Sequence, residues 1–156
     1  METAWDFWSL SPESTHQLLM LYSDRGTPMG YRHMDGFSVN TFKWVNAQGK
    51  AVWVKLHYKP ESGVKNFTAT EAASADPDFA TKDLFDVLES GEEVAWKAYV
   101  QIMSEDEAKA CTFDPFDATQ IWPHDKYPLL EYGRLVLNRN PVNYHKEIEQ
   151  AAFSPS

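Results

Sequence analysis

A small set of basic and aromatic side chains has the clearest chemical potential in this sequence. The set consists of Arg25, His57, Lys59, Trp122 and His124. A guanidinium and an ammonium group together suit a phosphate monoester, and a histidine can hydrogen-bond a pyrophosphate or a ribose. These residue types therefore predict an anionic ligand that carries a ring. Arg25 and His124 stand far apart in the chain, so the sequence alone does not bring the set together.

Other motifs for catalysis or metal binding are missing from the sequence. It has no dinucleotide-binding glycine fingerprint, no phosphate-binding loop, no H-E-x-x-H and no C-x-x-C. The five histidines include no pair at the spacing of metal ligands. Cys111 is the one cysteine, which excludes an internal disulfide and favours a reducing compartment. We interpret Cys111 as a half-buried side chain after a helix, and Asp114 and Asp117 as turn or capping residues rather than paired acids.

Composition predicts one packed globular domain. The chain has 156 residues, 43% of them hydrophobic, and includes six tryptophans. Its net charge of −9 opposes nucleic-acid binding, so we expect no nucleic-acid partner. No apolar run has the length of a membrane helix, and the first residues lack the pattern of a signal peptide. We therefore expect an intracellular protein without a membrane partner.

The elements that must position the basic set begin with a predicted hairpin over residues 41–59. Two β-rich runs flank the turn Asn46-Ala47-Gln48-Gly49. Side chains alternate along the second run, and one row can enter a core while the other offers a ligand surface or a solvated strand face. The apolar row is Val52, Val54, Leu56 and Tyr58, and the second row is Trp53, Lys55, His57 and Lys59.

The other predicted elements complete an α+β fold. Residues 4–10 read as an aromatic-rich lead-in, and a helix is predicted to start at Ser11-Pro12-Glu13 and to end before Gly26. Further helices are predicted at 68–73, 83–90, after a capping box at 104–107, and after Asn140-Pro141 with Tyr144, Ile148 and Ala151/Ala152 on one face. Strands are predicted at 95–103, with Trp96, Ala98, Val100 and Ile102 on one face, and at 131–139. The result is an antiparallel four-stranded sheet with two open edges, a liability for pairing.

A series of ordered motifs then resembles one protein family from end to end of the chain. They are Trp5-Asp6-Phe7-Trp8-Ser9, Ser23-Asp24-Arg25-Gly26, Tyr31-Arg32-His33-Met34, Lys43-Trp44-Val45-Asn46-Ala47, Phe113-Asp114-Pro115-Phe116-Asp117, Trp122-Pro123-His124 and Val136-Leu137-Asn138-Arg139-Asn140-Pro141. Together they resemble the middle of a haem catalase. The resemblance implies that residues 1–156 are a single partial domain, the second half of an eight-stranded antiparallel β-barrel.

The resemblance also implies an activity, cofactors and partners for the whole enzyme. Catalases dismutate hydrogen peroxide with haem, form homotetramers, and are cytoplasmic or peroxisomal. Their distal histidine and asparagine precede the segment that this chain resembles, and their proximal tyrosine, in an R-x-x-x-Y motif, follows it. No arginine of this chain has a tyrosine four residues on. We therefore assign no catalytic residue and no metal ligand, and expect the chain alone to be inactive and the remainder of the barrel to be its partner.

Two further sets of positions follow from the resemblance alone. The positions that hold NADPH in many catalases are His16, Ser23, Arg25, His57, Lys59, Ile121, Trp122 and His124, with Arg25 and Lys59 near the 2′-phosphate. Met20 departs from a common aromatic residue and Asp35 from asparagine, and Asp35 sets a negative charge beside an anionic ligand. The haem-side positions are Val39, Asn40 and Ala118, which also depart from the family pattern. The alternatives are a non-catalytic nucleotide-binding or interaction module and a half-barrel that does not fold alone.

Overall fold

A computed structural model describes residues 2–154 and has helices around one antiparallel sheet. The α-helices are α1 (Glu2–Leu10), α2 (Thr15–Leu21), α3 (Ala69–Ser74), α4 (Phe79–Glu89) and α5 (Glu105–Ala110). The strands are β1 (Gly36–Phe37), β2 (Phe42–Val45), β3 (Ala51–Pro60), β4 (Val94–Ser104) and β5 (Leu130–Leu137). Short 3-10 turns lie at Pro12–Ser14, Asp24–Gly26 and Tyr31–His33, and a π-helical turn at His145–Glu149. Between residues 2 and 154, no helix is long and apolar enough to cross a membrane.

The sheet confirms the predicted antiparallel α+β architecture and adds one strand. β3 pairs with β4 along its whole length, β4 pairs with β5, and both β1 and β2 pair with the other side of β3. The sequence predicted four strands. β1 was missed because two residues are too short to show an alternating pattern. The register sets Lys55 opposite Gln101 and His57 opposite Tyr99.

One face of the sheet is concave. Val54, Trp96, Ala98 and Val100 lie on this face and are buried. The rings of Trp44 on β2 and of Tyr132 on β5 are 5.9 Å apart, although β3 and β4 lie between their strands. Such an approach across two strands requires strong curvature of the sheet. Ile102 shares this face, as the alternation of β4 predicted, and it is 39% exposed although its register partner Val54 is fully buried.

The opposite, outer face is covered by the proline-rich connection, which we call the lid loop (residues 112–129). Trp122 and Tyr127 of the lid loop pack with Met103 of β4, and all three are at most 1% exposed. The alternation of β3 predicted one core face and one ligand or solvated face. The lid loop instead buries Lys55 and His57 on that second face, to 7% and 8% exposure. Residues distant in sequence supply this cover, so the local pattern could not indicate it.

The helical predictions hold for the capping box at residues 104–107 and fail at several helix ends. Ser104 and Glu107 form the predicted capping box at α5, with reciprocal hydrogen bonds of 3.2 and 2.8 Å. The lead-in at residues 4–10 is helical, as part of α1, and Ser11 makes no side-chain cap. The predicted last helix is a π-helical turn that ends at Glu149, so Ala151 and Ala152 lie beyond it. Local sequence preference sets where the short capped helices begin, whereas tertiary packing sets the ends of the other helices.

The segment that connects the Tyr31–His33 turn to β1 is held by three contacts. Arg32 makes a bidentate ion pair with Asp83 of α4, at 2.7 and 3.0 Å. His33 Nδ1 is 2.9 Å from the carbonyl oxygen of residue 63. The Trp96 indole N–H donates to the carbonyl of Met34 at 2.9 Å. These contacts fix the backbone on the N-terminal side of residue 35, while β1 pairing fixes it on the other side.

Candidate functional site

The outer face of β3 carries a cleft of about 440 Å³, which we call the β3 cleft. Its floor contains Lys55, His57 and Lys59, and the lid loop supplies its other wall. The residues that line it are Phe37, Ser38, Val39, Lys55, Leu56, His57, Lys59, Gln101, Ala118, Gln120, Ile121 and His124. The cleft thus joins apolar walls to three basic side chains and His124, which is the mixture expected for a ligand that is both flat and anionic.

A buried amide fixes the hydrogen-bonding state of His57. Gln101 is 1% exposed, and its Nε2 donates to the carbonyl oxygens of Trp122 at 3.2 Å and Tyr127 at 2.6 Å. Both amide protons are therefore used, and Gln101 Oε1 is an acceptor. His57 Nε2, which is 2.9 Å away, must donate to it. His57 Nδ1 is then an acceptor; it is buried and has no partner within residues 2–154. The floor of the cleft offers this lone pair to a ligand donor.

Burial controls the charges in the β3 cleft. The pKa of Lys55 is lowered, chiefly by burial, and the nearby charge of Asp117 opposes the shift. Lys55 Nζ donates to the carbonyl oxygen of Gln120 at 2.7 Å, so the ammonium group also holds the lid loop to β3. The pKa of His57 is lowered, first by burial, against the hydrogen bond to Gln101, and further by the positive charges of His124, Lys59 and Lys55. His57 is therefore neutral at pH 7.

Stability is expected to fall as the pH is lowered from about 7 through the ordinary histidine pKa of 6.5. Because the folded pKa of His57 lies below the unfolded value, the unfolded chain binds more protons in this window, and protonation favours unfolding. The fall in stability ends once the pH lies below the pKa of His57 in the folded state. Thermal melting at pH 7.5, 6.5 and 5.5 measures it, and a His57→Gln variant should lose less of its melting temperature across this range than the parent.

The matched control for this prediction is His16→Gln. His16 is an exposed histidine outside the β3 cleft, so its replacement should leave the pH dependence of the melting temperature unchanged. An equal pH dependence in the parent and the His57→Gln variant would exclude His57 as its source.

A second cleft, also of about 440 Å³, adjoins the first at Phe37; we call it the Arg25 cleft. Arg25 is exposed at its rim, and Asp35 lies in its wall. Lys59 connects the two clefts, because its Nζ is 2.5 Å from Asp35 Oδ2 and 4.9 Å from the centre of the Phe37 ring. The structure therefore brings Arg25, His57 and Lys59 to two adjoining clefts.

The predicted nucleotide positions divide into three groups. His57, Lys59, Ile121 and His124 line the β3 cleft, and Arg25 lines the adjoining one. His16 and Ser23 line neither cleft, and the Ser23 hydroxyl is used locally, donating to Met20 O at 2.7 Å and accepting from Arg25 N at 3.3 Å.

Trp122 forms the third group, because its side chain is 0% exposed in the core between lid loop and sheet. Its indole N–H donates to Pro115 O at 3.2 Å. A ligand in the β3 cleft therefore does not reach the Trp122 ring, and Trp122 shapes the cleft from below.

The predicted haem-side positions also divide. Val39 and Ala118 line the β3 cleft, whereas Asn40 does not. Val39 has φ = 56°, which is a strained conformation for a β-branched residue. The hydroxyl of Ser38 stabilises this turn, since it accepts from Leu56 N at 3.0 Å and donates to Asn40 O at 3.0 Å. The turn is thus locked to β3.

Six residues that line the β3 cleft were absent from the predicted sites, and Lys55 and Gln101 are the two of them whose side chains set its charge and hydrogen bonding. Lys55 lies on the same face of β3 as His57 and Lys59, so the two-residue alternation already carried a signal for it. Gln101 lies opposite Lys55 on β4, and only the strand register shows this relation. Asp114 and Asp117 behave as predicted, because their Oδ1 atoms accept from the backbone amides of Phe116 and Thr119 at 2.9 and 2.8 Å. Cys111 is half-buried directly after α5, also as predicted.

Comparison with known proteins identifies the family. A family model described as Catalase matches residues 1–156. The chain belongs to the catalase family. Catalase-A of Dictyostelium discoideum is 58% identical over 97% of this chain and 31% of its own length. The catalase of Sus scrofa is 52% identical over 99% of this chain and 30% of its own length.

Solved catalase structures share the fold described above. A bacterial catalase aligns with a TM-score of 0.89 at 45% identity, over 97% of this chain and 30% of that protein. Catalase A from Saccharomyces cerevisiae aligns with a TM-score of 0.87 at 43% identity, over 97% of this chain and 32% of that protein. The predicted catalase resemblance and fold class are confirmed. The chain spans about a third of the length of the catalases it matches.

Proposed function

We propose that this chain is the second half of the barrel of a haem catalase, whose reaction converts two molecules of hydrogen peroxide into two of water and one of dioxygen. The observation that carries the proposal is the match of the family model to the whole chain, together with identities above 50% to proteins named catalase. The activity belongs to a protein that contains more than this segment, because the matched catalases are about three times as long.

The concave face of the sheet supports a barrel partner. Large apolar side chains on it are far from fully covered; they are Phe42, Trp44, Ile102, Leu130, Tyr132 and Leu135, with exposures between 39% and 48%. β1 and β2 lie at one edge of the sheet and β5 at the other, so the outer backbone groups of these strands are available for further pairing. Four more strands that complete the barrel would cover this face and both edges.

Haem, when bound, supplies the iron centre of catalase chemistry. Within residues 2–154, no group of three or more histidine, cysteine or acidic side chains could hold a metal ion. Haem iron needs only one axial side chain, and the family resemblance places that tyrosine after the segment that this chain resembles, so we assign no haem ligand and derive no step through the iron. Two of the expected haem-side positions, Val39 and Ala118, line the β3 cleft. The amide of Asn40 can donate and accept hydrogen bonds but does not titrate, so it supplies no proton.

The β3 cleft supports a nicotinamide dinucleotide as a second cofactor of the proposed enzyme. The rings of Phe37 and His57, 5.4 Å apart, provide an aromatic wall, and Ile121, 79% exposed, provides an apolar one. The free lone pair on His57 Nδ1 suits a ligand N–H or O–H donor. Arg25 at the adjoining rim suits a pyrophosphate.

A chimera tests the catalase proposal. The 156 residues replace the matching segment of the Dictyostelium catalase-A, and oxygen evolution from peroxide is measured after haem loading. We expect activity within about tenfold of the parent, since the segment supplies walls and no reacting group. A folded, haem-loaded chimera without oxygen evolution would instead favour a non-catalytic module. Asn40→His in the chimera is the matched variant, because it restores the titrating side chain that the family resemblance places there.

Two expectations remain, the oligomeric state and the cellular compartment. Sedimentation of the chimera measures whether it forms the homotetramer expected from the family. A fluorescent fusion of the protein in its own cells measures whether its compartment is cytoplasmic or peroxisomal.

A further inference from the structure

The positive charge of Lys59 is compensated within the protein. Its ammonium nitrogen is 2.5 Å from Asp35 Oδ2, and the two side chains are 37% and 24% exposed. The ammonium group also lies over the Phe37 ring. A ligand phosphate that approached Lys59 would have to compete with the Asp35 carboxylate for the ammonium group. It would also be repelled by the negative charge of that carboxylate.

Asp35 itself retains an unused acceptor. Its Oδ1 is buried and accepts no hydrogen bond within the described part of the chain. The backbone on both sides of Asp35 is fixed by the contacts of His33, Met34 and β1 described above. The carboxylate is therefore held in the wall of the Arg25 cleft, with one oxygen on Lys59 and the other without a hydrogen-bond donor among the described residues.

Arg25 is the one cation left for a phosphate in the Arg25 cleft. Within residues 2–154 it makes no ion pair, and its guanidinium contacts Met20 Sδ at 3.9 Å. Lys55, in the neighbouring cleft, is committed to the carbonyl of Gln120. One unpaired guanidinium can balance part of a pyrophosphate but not an additional phosphate monoester as well.

Resting on the proposed dinucleotide site, we infer that the two clefts take a nicotinamide dinucleotide whose adenosine ribose carries a free 2′-hydroxyl, with Asp35 as the acceptor for that hydroxyl. A carboxylate on the ribose hydroxyl is the general means by which proteins select an unphosphorylated ribose, and a free cation is the means by which they select the 2′-phosphate. In the Asp35–Lys59 pair, Asp35 provides the carboxylate, and Lys59 is no longer a free cation. Asp35 is thus a specificity-determining residue that excludes NADPH in favour of NADH.

Isothermal titration of the purified full chain with NADH and with NADPH tests this inference. The parent should bind NADH more tightly. Asp35→Asn frees Lys59 and removes a negative charge, so it should shift the ratio of the two dissociation constants by about tenfold toward NADPH. The matched control is Asp86→Asn, which breaks a similar surface ion pair, with Lys82 on α4, away from both clefts. Circular dichroism confirms that each variant is folded.

The outcomes separate this inference from the proposed function. If neither nucleotide binds the parent, the dinucleotide site fails and the inference falls with it. If the parent binds NADPH as tightly as NADH or more tightly, the site stands and the selection by Asp35 is wrong. If the ratio of the NADH and NADPH dissociation constants is unchanged in Asp35→Asn, the selection by Asp35 is also wrong. If that variant does not fold, the ratio measured for the parent decides whether NADH is preferred.

Discussion

Replacing Gln101 by leucine is expected to lower the free energy of unfolding by at least about 3 kcal/mol, because two carbonyls and one imidazole N–H lose their partners at about 1 to 3 kcal/mol each. The groups concerned are the carbonyls of Trp122 and Tyr127 and the Nε2–H of His57. All lie in a region where Gln101 is 1% exposed, so water does not replace the lost bonds. The loss is a large fraction of the total stability of an ordinary domain.

Urea denaturation followed by tryptophan emission measures this loss. Gln120→Leu is the matched control, because the Gln120 side chain is exposed and its backbone carbonyl, which accepts from Lys55, is retained in the variant. Gln101→Glu should destabilise as well, since a carboxylate cannot donate to the two carbonyls. If Gln101→Leu were as stable as Gln120→Leu, the amide would not be the connection between sheet and lid loop.

Replacing Trp122 by alanine is expected to cost about 3 to 5 kcal/mol of stability, because a fully buried aromatic side chain leaves a cavity that the surroundings fill only in part. The Trp122 ring packs against Met103 and Tyr127, with ring centroids 5.6 Å apart in the tryptophan–tyrosine pair. Lys55 Nζ lies 5.6 Å from the centre of the same ring. The substitution therefore removes the support of both the lid loop and a floor residue of the β3 cleft.

The neighbouring residue provides the control for this prediction. Ile121→Ala should change stability by less than about 0.5 kcal/mol, because the Ile121 side chain is 79% exposed. It should weaken nucleotide binding instead, since Ile121 lines the β3 cleft. Chemical denaturation and nucleotide titration of both variants separate the two roles. A stable Trp122→Ala variant that loses only nucleotide binding would return Trp122 to the ligand surface.

The sequence predicted features that depend on neighbouring residues. Alternation along β3 indicated that Lys55, His57 and Lys59 share a face, and the capping residues indicated the start of α5. The ordered motifs, taken together, indicated the catalase family. These signals are local or additive along the chain, so a single sequence contains them.

Features that depend on packing between distant segments were not predictable in the same way. Nothing in the sequence around Trp122 indicates that its ring is buried while the side chain of the preceding residue, Ile121, is exposed. The ion pair between Lys59 and Asp35 was foreseen only as an unfavourable charge near a ligand, because sequence does not show that the two side chains meet. The burial of His57 likewise depends on the lid loop, which folds over it from another part of the chain.

The lid loop also bears on the order in which the molecule forms. Its bonds to Gln101 span 21 and 26 residues, and the bond from Trp122 to Pro115 spans seven. Bonds that join β3 to this unit span 44 residues at His57 and 65 at Lys55. Shorter loops close at lower entropic cost and contacts of low separation form faster. We therefore expect β4 and the lid loop to form a local folding unit first, and the β3 cleft to take shape when β3 docks onto it.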